Sequence, residues 1–289
     1  MNTILIATDF SKASRNATLY GVQLAKEING NIILFNAYDI PTPAAGLNVG
    51  ISRYSVKILT DQKLKDEAEL VKYINMPSLE IMCDEGDAAD AIINVANDKK
   101  VDFIVIGMKG GGKNFKKIFG STATSLVKRT NIPVIIVPEC ANFKTPHNIV
   151  FANDAIIDSD KDVPEDLKKI TQLFKSKLNV VKVIKDKQEK SFQASENPEN
   201  LNRVVYTFDT SFEYPVDTDL RHALNDFIVE HHCDMLVMMP HKHEWMERLF
   251  KKSETKNMIF HTHVPLLILP EVSFKRMDVD ETFNSKDYS

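Results

Sequence analysis

The chain has 289 residues, of which 43% are hydrophobic, 26% charged and 8% aromatic, which excludes a disordered protein and supplies enough apolar material for a sizeable core. Thirty-six basic residues against 40 acidic ones give a formal net charge of -4, which excludes a global positive field for binding nucleic acid or an anionic membrane surface. Cys83, Cys140 and Cys233 are widely separated and in no CxxC spacing, so neither a disulfide framework nor a Cys-based zinc site is expected, and a reducing cytoplasm fits best.

Met1 to Asp9 lacks the basic and long apolar regions of a signal peptide, and Thr3 to Ala7 reads as a first β-strand. No apolar run approaches the roughly 18 residues that span a bilayer, so no membrane association is expected. Asp9 and Ser11 are good helix N-caps, and Ala13, Ala17, Tyr20, Gly21, Leu24 and Ile28 follow at helical spacing, with Gly30 as the expected C-cap. Asn31 to Ala37 is a second strand. After a polar, Pro-containing stretch, a helix carries Leu64, Ala68 and Val71 on one face, with Lys63, Lys65, Asp66, Glu67 and Glu69 on its solvent face and Pro77 at its end. Leu79 to Cys83 is a third strand, Ala88 to Asp98 a helix, and Phe103 to Ile106 a fourth strand. A glycine-rich loop leads to a helix over Ser121 to Arg129 and a fifth strand over Pro133 to Val137. Strands that are apolar throughout and separated by helices predict a parallel sheet covered on both faces, an α/β doubly wound unit.

The order then repeats. Ile149 to Asp154 matches Ile4 to Asp9 at an offset of 145 residues (154 − 9). Asp234 to Met238 matches Asp102 to Ile106, and Val264 to Pro270 matches Ile132 to Pro138, both at an offset of 132 (234 − 102). The difference is expected in the loops after the second strand. Two divergent copies are therefore predicted, residues 1–140 and 147–271, followed by a flexible tail over 272–289 rich in Asp, Lys and Ser.

The chemistry concentrates between Gly107 and Ser121, which holds half of the chain's ten glycines and Lys109, Lys113, Lys116 and Lys117, with no acid among them. In an open α/β sheet, ligands bind beyond the carboxyl ends of the strands where strand order reverses. Glycines there let backbone N–H groups approach phosphate, and Gly120-Ser121 stands at a helix N-terminus that favours an anion. Asp9, after the first strand, suits two roles: accepting hydrogen bonds from ribose hydroxyls or capping the helix that follows. The residues alone leave both open.

The spacing Gly107, Gly110, Gly120-Ser121 is G-x2-G-x9-G-[S/T]. Together with Ile4 to Ser11 and Asn131 to Pro138, it resembles the universal stress protein family across residues 1 to about 140. The resemblance implies two Rossmann-like domains of the adenine nucleotide alpha hydrolase type, each with a five-stranded parallel sheet, packed as an intramolecular counterpart of the family's dimer. It also implies ATP or another adenine nucleotide as ligand, with Mg²⁺ offsetting phosphate charge. Ala7, Asp9, Ala37, Ile106 and Gly107 would meet adenosine, and Gly110, Gly120, Ser121 and Thr122 would hold phosphates. The expected role is a cytoplasmic, nucleotide-responsive stress factor acting on an unknown protein partner, with further homodimerisation left open.

No His-x-Gly-His, Ser-Gly-Gly-x-Asp-Ser or Walker sequence occurs, and no constellation supplies a base, nucleophile and metal site, so binding is favoured over catalysis and no catalytic residue is assigned. Two alternatives stand beside this reading: a slow ATPase or self-phosphorylating protein using Ser121 or Thr122, and a nucleotide-independent interaction module. In the second copy Met239, Lys242 and Lys252 replace the motif glycines, so nucleotide binding in the same manner is not expected there, and Trp245, Leu249 and Phe250 are read as packing residues. His231-His232-Cys233, His241-x-His243 and His261-x-His263 fall at loop or helix ends and are read as surface or capping groups rather than metal ligands. Met235, Met238 and Met239 read as a buried strand.

Overall fold

The computed structural model describes residues 2–40, 52–74, 78–108, 120–152, 163–184, 209–239 and 263–270. The first half runs β1 (Thr3–Ala7), α1 (Lys12–Glu27), β2 (Asn31–Tyr38), α2 (Arg53–Glu69), β3 (Leu79–Glu85), α3 (Ala88–Asp98), β4 (Phe103–Met108), α4 (Ser121–Arg129) and β5 (Val134–Pro138). The second runs β6 (Asn148–Ala152), α5 (Glu165–Phe174), β7 (Lys177–Val181), β8 (Thr210–Glu213), α6 (Leu220–Glu230), β9 (Met235–Met238) and β10 (Leu266–Ile268). Asn31 pairs in the repeat with Lys177 and Leu79 with Thr210, so the shortening of the second copy falls between its second and third strands. The tail, Pro77, and most of the glycine loop lie outside the described residues.

All ten strands form one sheet, ordered β3-β2-β1-β4-β5-β10-β9-β6-β7-β8. Within each half every pairing is parallel. The halves meet where β5 and β10 pair antiparallel, Ile136 opposite Leu266 and Val134 opposite Ile268. This junction covers two apolar edges that would otherwise be templates for aggregation.

Strand residues alternate between two cores. Leu5, Ile33, Phe35, Ile104 and Ile106 pack toward α3 and α4, while Ile4, Ile6, Ile32, Leu34 and Val105 pack toward α1 and α2. The same division continues through the second half, with Leu224 and Phe227 of α6 on one face and Leu167, Ile170 and Phe174 of α5 on the other. With both faces covered, the central strands have no polar side to present, which is why period-two polarity is missing from their sequences, whereas the edge strands β3 and β8 have no buried residue.

Helix ends show where glycine reading fails. The residue after the C-cap of α1 is Asn29, at φ 51°, and Gly30 stands one place later, its N–H donating to the Ala25 carbonyl at 2.7 Å. Gly30 is thus not the left-handed residue that closes the helix; Asn tolerates that conformation because its short polar side chain bonds locally. Lys100, Lys175 and His232 end α3, α5 and α6 in the same left-handed turn.

The linker between halves is held by α1. Asn16 Nδ2 donates to the carbonyls of Pro138 at 2.9 Å and Ala141 at 2.8 Å. Tyr20 packs edge-on against Phe143, with ring centroids 5.1 Å apart. Its hydroxyl is buried with no hydrogen-bond partner among the described residues, and burial raises its pKa, the negative charge of Asp234 adding to the effect. An unsatisfied buried hydroxyl costs about 1–3 kcal/mol. Tyr20→Phe is therefore expected to be neutral or to stabilise the chain by about 1 kcal/mol in urea unfolding, although it removes a polar atom from the junction.

Candidate functional site

The first half reverses its strand order between β1 and β4, and a cavity of about 310 Å³ opens there, at the carboxyl ends of β1, β2 and β4. Ala7, Ala37, Ala88, Ile92 and Ile106 make its apolar wall. Thr8, Asp9, Ser11, Ser14, Asn36 and Thr122 make its polar positions, and Gly107 and Gly120 border it. Seven of the nine residues expected at a ligand site, Ala7, Asp9, Ala37, Ile106, Gly107, Gly120 and Thr122, therefore line one cavity. Ser121 is exposed beside it as the first residue of α4 and is not among its lining residues, and Gly110 lies outside the described residues.

Asp9 is released from the capping role. The N-cap of α1 is Ser11, whose Oγ accepts from the Ser14 N–H at 3.2 Å, while Asp9 Oδ1 accepts from the Ser11 N–H at 3.0 Å. Burial works to raise the Asp9 pKa, but hydrogen bonds from the Ser11 and Ser14 side chains and the Ser11 backbone outweigh it and hold the carboxyl below 3.8. A depressed carboxylate stabilises the fold above its unfolded pKa, and that contribution is lost as pH falls through the folded value. At neutral pH the cavity thus carries a fixed negative charge at one rim.

The same cavity is bordered by the N-terminus of α4, through Gly120 and Thr122. Gly120 caps α4 without any side-chain bond, at φ −63°, so the first-turn N–H groups of α4 have no capping oxygen. Lys128 and Arg129 occupy the far end of the helix, where they complement its dipole.

The two described glycines of the motif do different things. A Cβ on Gly107 would stand 2.5 Å from the carbonyl carbon and oxygen of Ala13 and 2.7 Å from the Ser14 nitrogen, so this glycine lets the first turn of α1 press against the end of β4. A Cβ on Gly120 would meet nothing within 4 Å.

Residues that sequence reading passed over complete the site. Asn36, buried in β2, donates from Nδ2 to the Thr8 carbonyl at 2.6 Å and fixes the end of β1. Its signal was an amide following four apolar residues in the middle of a strand. Glu67, expected on the solvent face of α2, is instead 4% exposed and bonded to Thr8 and Thr18. Charge alone marked it as a surface residue, but two hydroxyl partners from β1 and α1 satisfy its oxygens inside.

In the second half, Met239 stands in the place of Gly107 and is 1% exposed, in the core shared with Val163 and Leu167. Leu220 stands in the place of Ala88. Asp154 and His241, His243 and His261 fall outside the described residues, as do Trp245, Leu249 and Phe250. His231 stacks on Phe227 at 4.0 Å between ring centroids, His232 occupies a left-handed turn and Cys233 is buried, so these three neighbours in sequence do not converge. Among the described residues no cluster of three or more His, Cys, Asp or Glu could hold a metal ion, and no helix is long and apolar enough to cross a membrane.

His222 forms the second half's clearest titrating group. Its Nδ1 lies 2.6 Å from Asp217 and its Nε2 3.3 Å from Asp226, and the Asp217 hydrogen bond, then the Asp226 charge, raise its pKa above 6.5. The pairing stabilises fully below pH 6.5 and is lost as pH rises through the folded value. An NMR titration is expected to place the His222 midpoint above 6.5 and, in Asp217→Asn, to bring it back toward 6.5.

Fold and site together define the class: a doubly wound α/β protein made of two copies of one unit, with a ligand-sized pocket at the switch point of the first. Residues 1–138 match the model of the universal stress protein family, and this half of the chain is similar to proteins of that family. The stress response protein NhaX of Bacillus subtilis is 28% identical over 159 residues, covering 46% of this chain and 96% of that protein. A universal stress protein of Methanocaldococcus jannaschii is 28% identical over 137 residues, covering 46% and 80% respectively. The solved structure of a universal stress protein from Archaeoglobus fulgidus spans both halves, covering 93% of this chain and 98% of its own at a TM-score of 0.68 and 16% identity, a likeness of fold.

Proposed function

We propose that residues 1–140 form an adenine-nucleotide-binding domain and that residues 147–271 form a degenerate copy that supports it. The observation that carries this reading is that one cavity of about 310 Å³ is lined by the Asp9 carboxylate, by the start of α4, which has no side-chain cap, and by an apolar wall. In this reading adenine lies against Ala37 and Ile106, Asp9 accepts from the ribose hydroxyls, and Gly110, Gly120, Ser121 and Thr122 receive the phosphates. Mg²⁺ would be held chiefly by phosphate oxygens and water, since Asp9 is the one ionisable side chain among the described lining residues. The same fact favours binding over hydrolysis, because among the described lining residues no second ionisable group could act as a base. In the second half Met239, Lys242 and Lys252 stand where the motif glycines stand in the first, so one site per chain is proposed. Nucleotide occupancy would set the conformation of the Gly107 to Gly120 loop and thereby the surface shown to a protein partner, making the chain a cytoplasmic stress-response factor.

Calorimetric titration of the intact chain with ATP and Mg²⁺ tests the reading. One site per chain is expected. Gly120→Val, which finds open space around its Cβ, is expected to leave the fold intact and weaken binding at least tenfold by occupying the phosphate approach. Absence of heat in the unaltered chain, confirmed by a competition assay, would replace the reading with a nucleotide-independent interaction module.

A further inference from the structure

Glu67 reaches from α2 beneath the loop that carries Asp9. Its Oε2 accepts from the Thr8 hydroxyl at 3.0 Å, and its Oε1 accepts from the Thr18 hydroxyl at 2.6 Å. Thr8 is held on every polar atom. Its N–H donates to the Phe35 carbonyl at 2.9 Å, its carbonyl accepts from Asn36, and its hydroxyl oxygen accepts from the Phe10 N–H at 3.0 Å. Because that oxygen is already an acceptor toward Phe10, its proton is directed to Glu67 or to Ser14 Oγ, 3.1 Å away.

Phe10 is the residue that needs holding. Its φ is 62°, a left-handed conformation that bulky side chains rarely adopt, and no glycine relieves it. The Phe10 bond to Thr8 and the Ser11 cap bracket this residue, and Asp9 sits between the two anchors. A second contact comes from one turn earlier on α2, where Lys63 Nζ lies 5.5 Å from the centre of the Phe10 ring. Residues 63 and 67 share a helix face, so α2 grips the loop from outside through Lys63 and from inside through Glu67.

We infer that Glu67 is a positioning residue for the ligand carboxylate: through Thr8 it fixes the left-handed Phe10 turn and so aims Asp9 at the ribose hydroxyls. This rests on the nucleotide-binding reading for its ligand, but the loop geometry it explains is present without one. Glu67 does not line the cavity, so any effect of its replacement on binding must travel through the loop.

The test pairs a ligand arm with a ligand-free arm on the full chain. In the first, ATP and 2′,3′-dideoxy-ATP are titrated into the unaltered chain, Glu67→Ala, Glu67→Gln and Thr18→Val, with AMP as a phosphate control. A hydrogen bond to a charged acceptor corresponds to about a tenfold or greater preference for ATP over its dideoxy analogue. That preference is expected to fall to about threefold or less in Glu67→Ala while the ATP-to-AMP ratio stays as it was. Glu67→Gln should keep most of it, because the amide oxygen still accepts from Thr8 while its NH₂ donates to Thr18, whose proton can turn to the Ser14 carbonyl 3.1 Å away.

In the second arm, hydrogen exchange without ligand is expected to speed up at Phe10 in Glu67→Ala and in Thr18→Val, with the amides of α3 unchanged. If Glu67→Ala does not fold, Thr18→Val and Glu67→Gln decide the matter. An intact ribose preference together with unchanged exchange at Phe10 would overturn the inference, as would equal loss for all three nucleotides, which is what a merely structural residue would give. Failure of the unaltered chain to bind ATP would remove the nucleotide reading, and the exchange arm would still decide whether Glu67 holds the loop.

Discussion

Gly107→Ala is expected to melt about 5–10 °C below the unaltered chain, a loss of about 2–3 kcal/mol, whereas Gly120→Ala changes stability by less than about 1 kcal/mol. The two glycines belong to one motif, and a reading of that motif as a phosphate cradle would treat them alike. The geometry separates them. At Gly107 the added methyl meets backbone atoms of α1, at 2.5 Å from Ala13 and 2.7 Å from Ser14, and backbone cannot swing aside as the end of a side chain can. The first turn of α1 must back away from β4, which also moves the Ser11 cap and the Thr8 to Ser14 network. At Gly120 the same methyl meets open space at an ordinary negative φ. Differential scanning calorimetry of both variants beside the unaltered chain checks this directly. Equal melting temperatures for the two variants would mean that α1 is not seated against Gly107 as described.

What the sequence showed and what it hid follow from how each residue is recognised. Strands, helices and the duplication were legible because burial on both sheet faces forces unbroken apolar runs, and because Asp102 and Asp234 open matching strands at a constant offset. The helix starts at Ala88 and at Ser121 were read to the residue. The cavity was legible in outline because its location follows from strand order and its glycines are dense. Glu67 was hidden for a different reason: an acid among Lys63, Lys65, Asp66 and Glu69 has the pattern of a solvated face, and only the arrival of Thr8 and Thr18 from distant segments makes its burial affordable. The role of Gly107 was hidden for a related one, since a close approach between α1 and β4 is a tertiary fact with no local sign. Non-local partners decide both residues, and a motif reports only the local chain.

Asp9→Asn is expected to weaken ATP binding by about 10- to 100-fold while shifting thermal stability by less than about 1 kcal/mol. The asparagine Oδ1 can still accept from the Ser11 N–H, as Asp9 Oδ1 does at 3.0 Å, so the empty loop keeps its shape. The ligand loses more, because the second carboxylate oxygen, a charged acceptor for ribose hydroxyls, becomes an amide NH₂ that can only donate. The pH profile supplies an independent check with adenosine, whose lack of phosphates removes the ligand's own phosphate ionisation. With its pKa held below 3.8, Asp9 remains a carboxylate throughout pH 5 to 8, and adenosine affinity is expected to be flat across that range, falling only as the solution is taken down through the folded pKa. A break between pH 5 and 8 that disappears in Asp9→Asn would show that the carboxylate is protonated far above its usual range, and the Ser11 and Ser14 bonds would then not be setting its charge. A flat profile with an unchanged Kd in Asp9→Asn would instead place the ribose elsewhere in the cavity, with Asn36 and Thr122 among the polar side chains to test next.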